Sequence, residues 1–234
     1  MKKLSLLFAL LLMAGAASAA DFSSTGVGVG VLVPSADENP CEGSELFCND
    51  DGGFENGYAW QYGGIVAPDY GAFAEGYEIT ESSVCGVQLK LTQVGNFVGQ
   101  SCDVYVWDSD GTNPNNVLAV ATGVVVSAPA QWPSISNHDV DTPDIAEMTG
   151  GVFVGYWGNW PGAGSGYYVA ADQDGFGGLP RTNIAPGIGY PTGWNDPSVV
   201  WGTTQALGLC AYVSGEPPIP VENATWGEIK NLYK

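Results

Sequence analysis

Between Val84 and Val213 the chain alternates apolar and polar positions with a period of two, in short runs separated by Gly, Pro, Asn and Asp. Residues 84–91 place Cys85, Val87, Leu89 and Leu91 on one face, and Gln88, Lys90 and Thr92 continue the other. A turn follows at Gly95–Gly99, and residues 102–107 return with Cys102, Val104 and Val106 on one face. Further runs fall at 117–126, 152–157, 167–171 and 206–213. Short alternating runs with this punctuation predict strands, each giving a sheet one apolar face. No useful stretch in 54–213 has the helical period. The expected fold is all-β: an antiparallel β-sandwich, jelly-roll-like, over residues 54–213. That length suffices for one sizeable core, in which or at whose edge most Trp rings belong.

The flanks have a different pattern. Met1-Lys2-Lys3, an apolar run from Leu4 to Met13 and a small-residue segment to Ala20 have the order of a secretory signal peptide over 1–20. Residues 21–53 read as a lead-in. It opens on Val27, Val29, Val31 and Val33 alternating with Gly, which fits either one strand or a flexible segment. Residues 214–224 form a Pro-rich linker. Residues 225–234 predict a short amphipathic helix: Thr225 and Glu228 make a capping box, and Trp226, Ile229, Leu232 and Tyr233 share one side. So short a helix is marginal alone, so those four residues are candidates for docking onto another surface.

Charge narrows the function classes. Six Lys and Arg face 25 Asp and Glu, for a net charge of -19. Removing residues 1–20 takes away Lys2 and Lys3 and no acid. A surface this acidic excludes nucleic acid as a partner. No later segment is long and apolar enough to span a membrane, and the expected location is secreted, extracellular or at the cell surface. In such a compartment disulfides persist. Of Cys41, Cys48, Cys85, Cys102 and Cys210, the first two close a short loop and are the expected pair; one thiol is left over.

Candidate chemistry is sparse. Asp108-Ser109-Asp110-Gly111 and Asp172-Gln173-Asp174-Gly175 share an Asp-x-Asp-Gly pattern. Both read first as turns. Asp108, Asp110, Asp172 and Asp174 are also candidate Ca²⁺ ligands, although an EF-hand loop's remaining positions are missing; no other cofactor is expected. Trp157, Trp160 and Trp194 lie beside polar loop residues, as rings that stack on sugars do, or as core-filling rings do. His138, with Ser136 and Asp139 nearby in sequence, is expected to be structural, because a triad needs spatial order and an oxyanion hole. Glu55, Glu75, Glu78 and Glu81 supply carboxylates, but no pair among them stands out for glycosidase chemistry.

Residues 54–60 (Phe-Glu-Asn-Gly-Tyr-Ala-Trp), 103–108 (Asp-Val-Tyr-Val-Trp-Asp), 155–160 (Gly-Tyr-Trp-Gly-Asn-Trp) and the 225–234 tail resemble secreted β-sandwich proteins of environmental bacteria, some ending in a similar Trp-Gly-x-Ile-Lys tail. The resemblance covers most of 54–234 and implies an exported or surface protein, with no activity and no catalytic residues to transfer. The expected function is therefore a non-catalytic surface or extracellular structural or interaction protein whose tail serves sorting, anchoring or assembly. The alternatives are a carbohydrate-binding module and a secreted glycan-active enzyme. Expected partners are a polysaccharide, a surface protein, or further copies through exposed strand edges.

Overall fold

The computed structural model describes residues 22–33, 39–62, 69–97, 99–145, 147–158, 160 and 166–215. The segment 1–20 read as a signal peptide, the expected linker beyond Gly215 and the tail 225–234 lie outside the described residues. The first strands are β1 (Phe22–Ser24), β2 (Val31–Val33), β3 (Glu45–Phe47), β4 (Asn56–Trp60) and β5 (Phe73–Gln93). Next come β6 (Ser101–Ser109), β7 (Pro114–Val125), β8 (Ala130–Gln131), β9 (Ser134–Asp141) and β10 (Met148–Trp157). The last are β11 (Tyr168–Asp172), β12 (Pro180–Ile184), β13 (Gly193–Asn195), the helical turn α1 (Ser198–Trp201), β14 (Ala206–Leu207) and β15 (Leu209–Gly215).

β5 is 21 residues long and serves both layers. Its first half pairs with β10 on one edge (Glu75 opposite Val154) and β12 on the other (Glu75 opposite Pro180). Its second half pairs with β9 and β15, Leu89 standing opposite His138 and Leu209. Partners change near Glu81, which has φ 46° and where the register against β10 shifts. Such a bend lets one strand pass between layers. From β5 the sheet continues through β10 and β6 to β7 in one direction, and through β11 and β4 to β1 in the other. Pairing is antiparallel except for β2 with β9 and β5 with β8, and the sheet does not close into a barrel. The fold is an all-β sandwich.

The alternation in the sequence becomes two packed faces. Val104 and Val106 of β6, Val152, Val154 and Tyr156 of β10, and Val87, Leu89 and Leu91 of β5 fill the main core. Tyr105, Trp107, Phe153 and Trp157 point the other way and form a second cluster, packed against Leu179 and Trp194. α1 brings Trp201 onto the core, stacked on Tyr58 at 4.6 Å and edge-on to Trp60. Gly155 is required by close approach, because a Cβ there would collide with the Phe73 carbonyl of the neighbouring strand.

Two expectations change, and the open reading of the Gly-Val run is resolved. The 21–53 segment is not a separate lead-in: β1 pairs with β4, β2 with β9 and β3 with β15. In the Gly-Val run only Val31–Val33 forms a strand, while Val27 and Val29 project into solvent, 82% and 77% exposed. The Cys41–Cys48 bridge does not form; the disulfides are Cys41–Cys85 and Cys48–Cys210, with Cys102 free and buried. The reason is β3, an extended strand between the two cysteines that holds them apart. Its register sets Phe47 opposite Ala211, bringing Cys48 to Cys210. Burial pushes the Cys102 thiol up to about 12. No helix among the described residues is long and apolar enough to cross a membrane.

A non-reducing digest is expected to yield Cys41 linked to Cys85 and Cys48 linked to Cys210. Loop-closure scaling predicts a loss of about 5 kcal/mol for Cys48→Ser with Cys210→Ser, and about 4 kcal/mol for Cys41→Ser with Cys85→Ser, read by urea unfolding.

Candidate functional site

Three carboxylates from distant parts of the chain meet at one end of the sandwich. Glu55 precedes β4, Asp172 ends β11 and Asp174 lies in the following loop; one oxygen from each falls within 4.8 Å of the others. The backbone builds this convergence. Glu55 N–H donates to the Ala171 carbonyl at 3.1 Å, and Gln205 N–H donates to the Asp172 carbonyl at 2.8 Å. The Asp172 carboxylate accepts from the N–H groups of Asp51 (3.1 Å), Asp174 (3.1 Å) and Gly175 (2.7 Å), and Glu55 Oε2 accepts from Gln173 N–H (2.7 Å). Gly175 sits so close to Asp172 that a Cβ would overlap its carboxylate. The loop tip beyond it carries Phe176, 79% exposed.

Burial is the main cause holding Glu55 above the usual carboxylate range; the charges of Asp174, Asp172 and Asp51 add to it, and the Gln173 N–H opposes it. Burial likewise raises Asp172, against the N–H groups it accepts from. Hard oxygen donors clustered on loops suit Ca²⁺, which takes six to eight oxygens in flexible geometry. Glu55, Asp172 and Asp174 are the residues that could hold it. The other grouping among the described residues, Cys48, Asp50 and Cys210, has its sulfurs joined as a disulfide and is not a ligand set.

The first Asp-x-Asp-Gly segment is a hairpin turn. Asp110 Oδ1 accepts from the N–H groups of Thr112 (2.8 Å) and Asn113 (2.7 Å), which hold its carboxyl below the usual range. Asp108 accepts from the Asn116 backbone and side chain at 2.6 and 2.9 Å. Asp108 and Asp110 are thus engaged by their own turn, whereas Asp172 and Asp174 gain Glu55 from outside theirs. Of the two readings of the candidate rings, packing is the one that Trp157 and Trp160 fit. Trp157 and Trp160 are buried and donate to the carbonyls of Tyr70 (2.9 Å) and Ser101 (2.8 Å). Trp194 is half-buried, edge-on to Trp107 at 5.5 Å. These rings fill volume because the glycine-rich strands around them leave space to fill.

Ser136 and His138 do come together, Oγ to Nε2 at 2.8 Å on one face of β9. Ser136 Oγ also accepts from Ala130 N–H and donates to the Leu91 carbonyl, so it ties strands together. Asp139 accepts from Gln88 Nε2 and the Tyr212 hydroxyl instead of joining them. Of the four glutamates, Glu75 is completely buried and beyond a substrate's reach, Glu78 and Glu81 are exposed, and Glu55 belongs to the carboxylate cluster.

Behind the cluster, the Cys48–Gly53 segment answers two buried ionisable groups on β5. Lys90 Nζ lies 2.6 Å from Asp50 Oδ1, both groups buried, and 5.4 Å from the Phe54 ring centroid. Glu75 accepts from Asn49 Nδ2 (2.9 Å), Leu179 N–H (2.6 Å) and Leu207 N–H (2.8 Å). Burial pushes Glu75 up to about 8 despite these three donors. No protein-family model, curated protein or solved structure matches the chain.

Because the folded state holds the Glu75 proton more tightly than the unfolded chain, its contribution to stability is fully present below about pH 4.5. It is lost as pH rises through about 8. Unfolding free energy measured from pH 4.5 to 8 is expected to fall, by at most about 5 kcal/mol from this group. Glu75→Gln should flatten that slope and cost about 1–3 kcal/mol at the acid end, where an amide N–H₂ would meet a backbone donor.

Proposed function

We propose that this is an exported, non-catalytic cell-surface or extracellular interaction protein that makes its contacts through the loop end around Glu55. The observation that carries the reading is Phe176, a large apolar side chain held out in solvent beside three converging carboxylates. An exposed aromatic on a loop that a rigid sheet positions is a contact residue more readily than a packing one. The two disulfides are compatible with an extracellular setting, and the 1–20 segment supports export. A sugar-binding reading has lost the exposure of Trp157 and Trp160 on which it relied.

Ca²⁺ is the ion the donor set suits. Bound there, it would relieve the repulsion among Glu55, Asp172 and Asp174 and stiffen the loop presenting Phe176.

The test is an add-back experiment. Purified residues 21–234 are mixed with cells of the producing strain that lack the protein, and the washed surface fraction is assayed. The wild-type chain is expected to be retained, with a loss of roughly tenfold for Phe176→Ser, the change expected when one contact worth about 1.4 kcal/mol disappears. Glu55→Gln with Asp174→Asn, or a chelator, should reduce retention likewise. Wild-type protein that washes off like an unrelated acidic protein would sink the proposal.

A further inference from the structure

A second surface region, a groove away from Glu55, Asp172 and Asp174 in its lining residues, also presents acids. Two adjoining hollows share Asp141 and Asp144 as walls. One, about 550 Å³, lies against Val120–Thr122 of β7; the other, about 500 Å³, runs past Glu42 and the Cys41–Cys85 disulfide to Ser214. Thr142, which lines the first hollow, is only 3% exposed, and its hydroxyl has no hydrogen-bond partner. A buried polar atom in that state is costly, and an occupant with polar groups beside it would lower the cost. The groove therefore has three carboxylates and an unanswered buried hydroxyl, features that suit a cationic, hydrogen-bonding occupant.

The described residues do not supply one. Their only Lys and Arg are Lys90 and Arg181. Lys90 is paired with Asp50 inside the sandwich, and Arg181 is buried and donates to the Thr112 and Pro180 carbonyls and to Asn113 Oδ1. After Asp21 the sequence has two further cations, Lys230 and Lys234, both in the segment that leaves the sheet at Gly215. Ser214, the residue before that exit, is on the groove's rim.

We propose that residues 216–234 dock across this groove on their own domain, with Lys230 and Lys234 against Asp141, Asp144 and Glu42. An extended chain covers roughly 3.3–3.6 Å per residue, so the stretch from Gly215 to Lys230 reaches well past both hollows. Attachment at the rim gives an effective concentration on the order of millimolar, so contacts too weak to bind a free peptide suffice here. Each lysine follows an apolar residue, Ile229 or Tyr233, and the walls offer apolar surface at Val120 and Ile145.

Hydrogen exchange on residues 21–234, followed at 120–122 and 141–145, tests the assignment. Lys230→Gln with Lys234→Gln is expected to speed exchange at 141–145 at least tenfold, and Lys230→Arg with Lys234→Arg to preserve protection. Asp141→Asn with Asp144→Asn, or about 1 M salt, which shrinks the screening length to roughly 3 Å, should release the groove as the Gln pair does. Unchanged exchange in the Gln pair would overturn the proposal. Protection that grows with protein concentration would assign the groove to a second copy, and protection that survives the Gln pair but is lost to a chelator would assign it to a metal ion; both outcomes reject docking of the chain's own segment.

Discussion

Ionisable groups inside a sandwich of valine and aromatic side chains have to be answered where they stand. β5 carries two, Glu75 and Lys90, and one short segment answers both: Asn49 donates to the first and Asp50 pairs with the second. Leaving a buried charge without its partner typically costs about 3–5 kcal/mol, so the position of this segment is not negotiable. The Cys48–Cys210 bridge pins it immediately before Asn49, and the Asp51 N–H fastens it to Asp172 immediately after Asp50. Glu55 follows four residues later and inherits its place. The carboxylate cluster at the surface is thus registered by electrostatics in the interior.

How much of this was legible in the chain depends on where the controlling interaction is. The strands at 84–91 and 102–107 were, because alternation is local and the core rewards it directly: Val87, Leu89, Val104 and Val106 face where the pattern says. The polar face of β5 was misleading in one respect. Gln88, Lys90 and Thr92 look like a solvated row, yet all three are buried, each bonded to a group remote in sequence. Nothing near Lys90 announces Asp50. The same holds for the disulfides, which follow from β3 lying beside β15, a pairing across some 160 residues that no spacing rule reaches.

The site was half legible. Asp172 and Asp174 stood out as an Asp-x-Asp-Gly segment, but their likeness to Asp108 and Asp110 hid the difference that matters, which is the neighbour Glu55 brought in by β4 and β11 pairing. Trp157 and Trp160 were conspicuous for composition and turned out to be interior. Phe176 was overlooked, though Asp174-Gly175-Phe176-Gly177-Gly178 has a clear signal: an aromatic among glycines has little local structure to bury it. Both surface regions described above are negative, while the described cations are kept inside. The molecule therefore meets any partner as an anion, and a partner or ion that engages it has to bring positive charge or displace water from apolar tips.

The pairing of early strands with late ones sets an order of events during synthesis. A chain made from its N-terminus presents Cys41 and Cys48 to each other long before Cys210 exists. The seven-residue spacing makes their union the first disulfide on offer, and it is the wrong one. Reaching the native pair requires thiol–disulfide exchange once β15 has emerged, or protection of the early thiols until then. Yield in a host without a disulfide isomerase is accordingly expected to follow this competition, and β3 stays without its partner strand until β15 is made.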